Sequence, residues 1–580
     1  MVEVYLSSLT VGGFSMNSIS AYELESRASS LFGTLRTLCL TDGTKAACGA
    51  MLHLAQTVYP SSWTGTQQPH RYTILAARNV SADFLAVCAM LDIDVTWLYP
   101  DDTSLDHGTA LDITPEAVYD ALEQSMADAF YMTIPDTLGT SCDLFGISEA
   151  CHARDIPLLV DNSAGAYLYF LDDGRHPMQL GADMCFDDAS HLLSGMTGAA
   201  WLHIAPCAAD LYAARLQSGD AGLSYSQVQQ RLIANARVSA SLYSSAQSSD
   251  EVLNSIDTCV KRLRGDGDLP QSIAATTARI DKLKGHLRQI DVNVLESDPL
   301  RIVIDARSLG ENGASLRELY ELAAGPAPEE SQAAAPCVPA AYADNRYLVF
   351  LVAPRTPEQE IAQIFRIASR IRHAKQTGKA ITWYLLTGNP EPEKPENTEE
   401  ENLDDFTDIS ELEAFEAEND EKTADEFDVD DADDNASGAD TDAEGSNAGD
   451  ADISAGSDTA DGVGSDASSR NASNLLDSNP ASDIVIEDVA AEIAFPAPDM
   501  SDPGEFMLHQ PEKICTAREA LLAEHTRIAI DEAIGKICAV PVSCHPAWTI
   551  IAPGERIDEN TVAIMKSYGI GYAEVSSPIL

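Results

Sequence analysis

The stretch IPLLVDNSAGAYL (residues 156–168), followed by LGADMCFDDASHLLSGMTGAAWLHI (residues 180–204), decides how the rest of the chain is read. The first piece is an apolar, Leu-rich run that ends on Asp161 and then on small residues. A strand buried on both faces of a parallel sheet reads this way, and it delivers a carboxylate at its C-terminal end. The second piece reads as a strand, a polar turn and another apolar strand.

Upstream, the same unit repeats. Residues 21–32 suit a helix with Leu24, Ala28 and Leu31 on one face. Residues 37–56 read as a short apolar strand, a turn at Asp42–Gly43 and an Ala-rich helix. Residues 72–91 form a strand–turn–helix unit, and residues 93–100 another strand. Residues 128–161 repeat it, with Asp143 capping a helix whose apolar side is Leu144, Ile147 and Cys151. Such alternation predicts an α/β fold, its mainly parallel sheet covered on both faces.

Downstream, residues 206–290 carry helical spacing. Strands at 299–310 and 347–354 and helices from Ser315 and Thr356 predict a small α+β domain. In the second helix Thr356 is the expected N-cap, with Pro357 at the first helical position. From residue 388 to about 502, Asp, Glu, Ser, Ala, Asn and Gly dominate, and chain entropy outweighs what little apolar surface can be buried. This predicts a disordered acidic linker with one apolar island at 484–495. Order is expected to return near Glu505. Thr516 and Glu519 have capping-box spacing, and residues 548–569 read as strand, Pro553–Gly554 turn, Asp558-capped helix and terminating Gly569. The expected divisions are a large domain at 1–240, a helical connection and small domain at 241–387, the linker at 388–504 and a C-terminal α/β domain at 505–580.

Composition narrows the class of function. A chain of 580 residues with 45% apolar content holds two to four domains. It has no apolar run long enough to span a bilayer, and its N-terminal residues lack the basic and apolar regions of a secretory leader. The 12 cysteines lie singly, without CxxC pairs, which predicts reduced thiols, a cytoplasmic setting and no metal centre. The net charge is −56, of which residues 391–490 carry −31 by count. Such a surface repels nucleic acid and anionic membranes and attracts cations, basic amino acids and polyamines among them.

The two central pieces resemble the ornithine/lysine/arginine decarboxylases, pyridoxal-phosphate enzymes of the aspartate-aminotransferase fold. The family reads roughly LLVDEAHGAH where this chain has LLVDNSAGAY, and STHK where it has Ala189-Ser190-His191 after Asp188. Its phosphate turn NGST resembles Asp42-Gly43-Thr44-Lys45. Its segment VLVPRNCHKSV resembles a stretch within 72–91, with Arg78 and Asn79 kept, and its PGERI signature recurs at 553–557. The resemblance runs over about 31–206, loosely over 299–374, and again over 511–574. It implies that Asp161 pairs with the pyridine nitrogen and that Gly43, Thr44, Lys45, Ser81, Ala164 and Ser190 line the cofactor site. It places His191 where the family's Schiff-base lysine stands, Ser81 where a ring-stacking histidine stands, and Asp188 where a phosphate-contacting serine stands. The family's HxPGHK-type arm and TSPSYP-like segment have no counterpart here.

An imidazole has no primary amine and forms no Schiff base. The expectation is therefore a family member without the cofactor lysine, non-catalytic or impaired, paired with a second copy or with an active paralogue. Two alternatives stand beside it. One is an active pyridoxal-phosphate decarboxylase of a basic amino acid, or a non-covalent cofactor enzyme with His191 as base. The other is a module that senses basic amino acids or polyamines.

Overall fold

The computed structural model describes residues 20–60, 71–99, 113–216, 223–245, 248–265, 267–325, 336–389, 510–544 and 548–576. The acidic linker beyond residue 389 and its apolar island lie outside these residues.

Helix α1 (Ala21–Leu31) leads into β1 (Arg36–Leu40). Then come α2 (Gly43–Val58), β2 (Thr73–Ala77), α3 (Ala82–Leu91), β3 (Asp94–Leu98), α4 (Pro115–Gln124), β4 (Ala129–Thr133), α5 (Leu144–His152) and β5 (Leu158–Asp161). Strands β6 (Met184–Asp188) and β7 (Ala200–Ile204) follow, then α6 (Pro206–Arg215) and α7 (Tyr225–Tyr243). The strands form one sheet in the order β1-β7-β6-β5-β4-β2-β3. Strands β3, β2, β4, β5 and β6 run parallel. Strand β7 is antiparallel to both β6 and β1. The loop from β6 to β7 carries no helix, so the chain turns back beside β6 rather than crossing over the sheet.

Strand alternation sorts the two faces. Ile74, Ala76, Tyr131, Leu159 and Phe186 pack with α2, α3 and α7. Leu75, Ala77, Met132, Val160 and Cys185 pack with α4 and α5. The mainly parallel sheet is thus covered on both sides, and each buried large aliphatic residue adds roughly 1.5–3 kcal/mol. Among the described residues, no helix is long and apolar enough to cross a membrane. Among the described residues, the cysteines form no disulfide.

Helices α8 (Asp250–Leu263) and α9 (Leu269–Gln289) connect to the smaller unit of β8 (Arg301–Asp305), α10 (Gly313–Ala324), β9 (Ala340–Ala343), β10 (Tyr347–Leu351), α11 (Glu358–Thr377) and α12 (Trp383–Thr387). Its strands form an antiparallel sheet in the order β8-β10-β9. Two helix starts differ from the sequence expectation. Helix α10 begins earlier, because the Asn312 side chain accepts the Ser315 N–H at 2.7 Å and supplies the cap. Helix α11 begins one residue later, because Pro357, at ψ 142°, is still extended and occupies the cap position itself.

The C-terminal region comprises α13 (Ala517–Leu522), β11 (His525–Ala529), β12 (Ile537–Cys538), β13 (Val542–Cys544), β14 (Trp548–Ile551), α14 (Glu559–Ser567) and β15 (Tyr572–Ser576). Both arms of the Thr516–Glu519 capping box form. Asp558 accepts the Thr561 N–H at 2.8 Å, and Gly569 sits at φ +70° behind the helix. This region is joined to the large sheet through Arg78, which leaves β2 fully buried and forms a two-pronged ion pair with Glu555 at 2.8 Å on each prong.

Candidate functional site

Parallel strands β2, β4, β5 and β6 end at one edge of the sheet, where open α/β sheets bind their ligands. Asp161 is the last residue of β5 and is 4% exposed. One carboxylate oxygen accepts the Ser163 N–H at 3.0 Å, and the other accepts the Tyr131 hydroxyl at 3.4 Å. Burial pushes the carboxyl above its ordinary value, against the bonds from Ser163 and Tyr131. Tyr131 stacks on Phe84 of α3 at a centroid distance of 4.0 Å.

Asp188 ends β6 on the same strand face as Phe186, the register partner of Asp161. Its carboxylate accepts the backbone N–H and the hydroxyl of Ser190 at 2.7 and 2.6 Å. Asp188-Ala189-Ser190 is therefore an Asx-type turn that starts the β6–β7 loop. His191 follows, with an exposed side chain that bonds to no described residue. The surrounding protein lowers its pKa, and the Asp188 and Asp298 charges oppose that shift. Ala164 is half-buried beside Asp161.

The loop folds back onto the turn that leads into α2. Gly43, at φ +82°, donates its N–H to the Gly198 carbonyl at 2.9 Å. Gly198 is at φ +95°, and a Cβ there would stand 2.7 Å from the Thr41 carbonyl oxygen. Gly198→Ala should destabilise the chain by roughly 1–3 kcal/mol, read as a shift in the urea midpoint at constant m-value. An unchanged midpoint would show that this loop contact is dispensable.

Asp42, Lys45 and Ser81, around the expected cup, are bonded to other residues. Asp42 takes bonds from Thr41 and from the Ser245 N–H and hydroxyl. Lys45 pairs with Asp83 at 2.9 Å, with both side chains partly exposed. Thr44 is half-buried at the start of α2. Ser81 caps α3 by accepting the Phe84 N–H at 3.2 Å.

Asp298 and Arg301, absent from the sequence reading, join the surroundings of His191. Tyr167 donates its hydroxyl to Asp298, and Arg301 pairs with the same carboxylate. The Asp298 N–H reaches the Gly139 carbonyl at 2.7 Å. Lys284 of α9 adjoins this group, its amine bonded to the Ser297 hydroxyl at 3.1 Å and the Asp298 carbonyl at 3.4 Å. Burial lowers the Lys284 pKa, with Asp298 opposing. The signal in the sequence was a pair of opposite charges bracketing the start of an apolar strand.

A second polar cluster lies on the opposite strand face from Asp188. Asp187 is fully buried. One of its oxygens accepts the Nε2 hydrogens of His176 and His203, both at 3.0 Å, and the other accepts the Asn162 amide at 2.6 Å. His176 Nδ1 accepts the Met178 N–H at 3.2 Å, which fixes the hydrogen on Nε2. Phe32 packs against His203 with a centroid distance of 4.5 Å.

No protein-family model matches the chain. It is 25% identical over 321 residues to an arginine decarboxylase of Halalkalibacterium halodurans, covering 52% of this chain and 57% of that one. It is 23% identical over 272 residues to an arginine decarboxylase of Bacillus subtilis, covering 43% and 49%. The chain thus spans about half the length of the curated relatives it matches. Among solved structures it is similar to the lysine decarboxylase of Francisella novicida, with TM-score 0.56 and 13% identity over 99% of this chain and 74% of that one. The constitutive lysine decarboxylase of E. coli gives 0.51 and 12% over 96% and 72%. At these identities the structural likeness speaks to the fold. Likeness in sequence to arginine decarboxylases and likeness in fold to lysine decarboxylases agree with the resemblance to the ornithine/lysine/arginine decarboxylase family.

Proposed function

We propose that this chain is a family member that does not carry out the decarboxylase reaction and serves as the non-catalytic partner of an active paralogue or of a second copy of itself. The observation that carries this reading is His191, an exposed imidazole where the resemblance calls for an amine. When bound, pyridoxal phosphate supplies an electron sink for the carbanion left by departing carbon dioxide. Asp161, a buried strand-end carboxylate, fits the pyridine end of that group. The other two ends do not fit. Asp188 puts a carboxylate on the phosphate side, the Gly43 N–H is bonded to Gly198, and Lys45 is paired with Asp83. In this reading the chain is cytoplasmic and divides at 1–240, 241–387, 388–504 and 505–580. Its partner docks through the large domain, as the resemblance implies.

The test is a pyridoxal-phosphate titration of the full chain, followed by borohydride reduction and peptide mass spectrometry. The expected result is no reduced adduct on any lysine and no carbon dioxide released from arginine, lysine or ornithine. An adduct on a defined lysine, with Lys284 the buried candidate next to the site, would overturn the reading. Asp161 favours a second reading, in which the cofactor is held without a covalent bond and His191 acts as base. Saturable absorbance changes without an adduct, lost in Asp161→Asn, would support it.

A further inference from the structure

At the opposite end of β5 and β6 from Asp161, three metal-ligating side chains converge. His152 closes α5, Asp183 precedes β6, and Cys207 lies in the first turn of α6. One ligand atom from each lies within 4.8 Å of the other two. We propose that His152, Asp183 and Cys207 form a zinc site.

Hydrogen-bond accounting separates this cluster from the one around Asp187. A metal-binding imidazole nitrogen must give up its lone pair, so its hydrogen must sit on the other ring nitrogen. His176 is barred from this, because its Nδ1 faces the Met178 N–H. His152 Nε2 lies 2.9 Å from Asp183, while its Nδ1 bonds to no described residue and its side chain is 34% exposed. Its hydrogen is free to move to Nδ1, leaving the Nε2 lone pair for a metal.

Asp183 supplies the second argument. It is fully buried, and one of its oxygens accepts the Leu158 N–H at 2.8 Å as well as facing His152. The other oxygen is buried without a hydrogen-bond partner among the described residues. Buried carboxylate oxygens are seldom left so, and a bound ion is one of the standard reasons. That oxygen can take the metal while its twin keeps the Leu158 N–H.

Cys207 supplies the third. Its half-buried sulfur lies within 4.8 Å of the His152 and Asp183 ligand atoms, and its S–H is weakly bonded to the Ala182 carbonyl at 3.7 Å. Binding of a divalent ion breaks the S–H bond, forms a metal–sulfur bond and releases the proton to solvent. One thiolate and one carboxylate then balance the ion's two charges, and the imidazole stays neutral. A neutral assembly suits a half-buried place. A mixed sulfur, nitrogen and oxygen donor set favours zinc over magnesium or calcium. Three protein ligands leave the fourth position to water, on the exposed side of His152.

The experiment uses the full chain, reduced and stripped with a chelator, then titrated with Co2+ as the spectroscopic probe. The expected result is one Co2+ per chain, a thiolate-to-cobalt charge-transfer band, and its displacement by Zn2+. Cys207→Ser should abolish the band, and His152→Gln should weaken binding by about tenfold or more. Zn2+ should raise the melting temperature of the unmodified chain and leave that of Cys207→Ser unchanged. If Cys207→Ser does not fold, His152→Gln, at a partly exposed position, carries the test. Absence of the band, a band that survives Cys207→Ser, or unweakened binding by His152→Gln overturns the proposal. None of these readouts depends on pyridoxal phosphate or on turnover.

Discussion

Replacing Glu555 by alanine is expected to lower stability by about 3–5 kcal/mol, the usual cost of stranding one member of a buried ion pair. Arg78 and Glu555 have side-chain exposures of 1% and 4%. All five guanidinium hydrogens are used. Two go to the Glu555 oxygens, one to the Tyr99 hydroxyl at 2.9 Å, one to the Thr549 carbonyl at 2.8 Å and one to the Ile550 carbonyl at 3.1 Å. The cation also lies over the Trp97 ring at 4.8 Å. Burial works against the charge, but Glu555 outweighs it and raises the Arg78 pKa. Without Glu555 the guanidinium remains charged, buried and short of two acceptors, and the Ala552 N–H loses its partner as well. The double variant Arg78→Met, Glu555→Leu removes both charges and should recover much of the loss. Urea unfolding of the full chain measures all three. The account fails if Glu555→Ala costs under about 1 kcal/mol, or if the double variant is no better than the single. The pair also bears on the site. Thr549 donates its N–H to the Arg78 carbonyl at 3.0 Å, and its hydroxyl reaches the Val80 carbonyl at 3.4 Å. The C-terminal hairpin thereby holds the turn that carries Ser81, and loosening it should disorder that turn first.

The parts legible in the sequence were those whose cause is local. The run that ends on Asp161 is apolar because β5 is covered on both faces. The caps at Asp143, Thr516 and Asp558 are written in spacings of three residues. Asp188-Ala189-Ser190 was legible in principle as an Asx turn, and the loop it starts explains why β7 returns antiparallel. Long-range pairings left no such trace. Arg78 and Glu555 are kept apart by most of the chain, and only the folded sheet brings the PGERI turn under β2. Lys45 reads as a phosphate ligand beside Gly43, but α3 brings Asp83 to it across the turn. Tyr167 reads as a departure from a histidine, and its purpose appears only with Asp298 and Arg301 beside it. His176 and His203 gave no pattern either. A histidine inside the apolar strand AWLHI and an aspartate inside MCFDD were the available signals, and each needed the other to be understood.

Asp187→Ala should cost about 3 kcal/mol or more, because it strips acceptors from two buried imidazole N–H groups and an amide. The more discriminating result is the pH dependence. Burial alone would raise the Asp187 carboxyl. His176 and His203 outweigh it and hold the group well below the usual carboxylate range. Burial lowers the His203 pKa, against the pull of Asp187. Both shifts have the same sign in their effect on stability. His203 stays neutral in the fold but takes a proton in the unfolded chain below about pH 6.5. Asp187 stays ionised in the fold but takes a proton in the unfolded chain below about pH 4. Stability from this cluster is therefore full above about pH 6.5 and is lost in two steps as pH falls. Asp187→Asn should remove the lower step. Asn162 can turn its amide to present Oδ1, which has no hydrogen-bond partner among the described residues, so much of the hydrogen bonding survives while the charge does not. Unfolding free energies between about pH 3.5 and 8, compared with the unmodified chain, give the answer. If the acid limbs of Asp187→Asn and the unmodified chain superimpose, the carboxylate is not what ties stability to pH. If they diverge below about pH 4, the cluster is a buried ionic support of the β6–β7 hairpin from which His191 projects, and its loss in acid should loosen that loop before the sheet itself gives way.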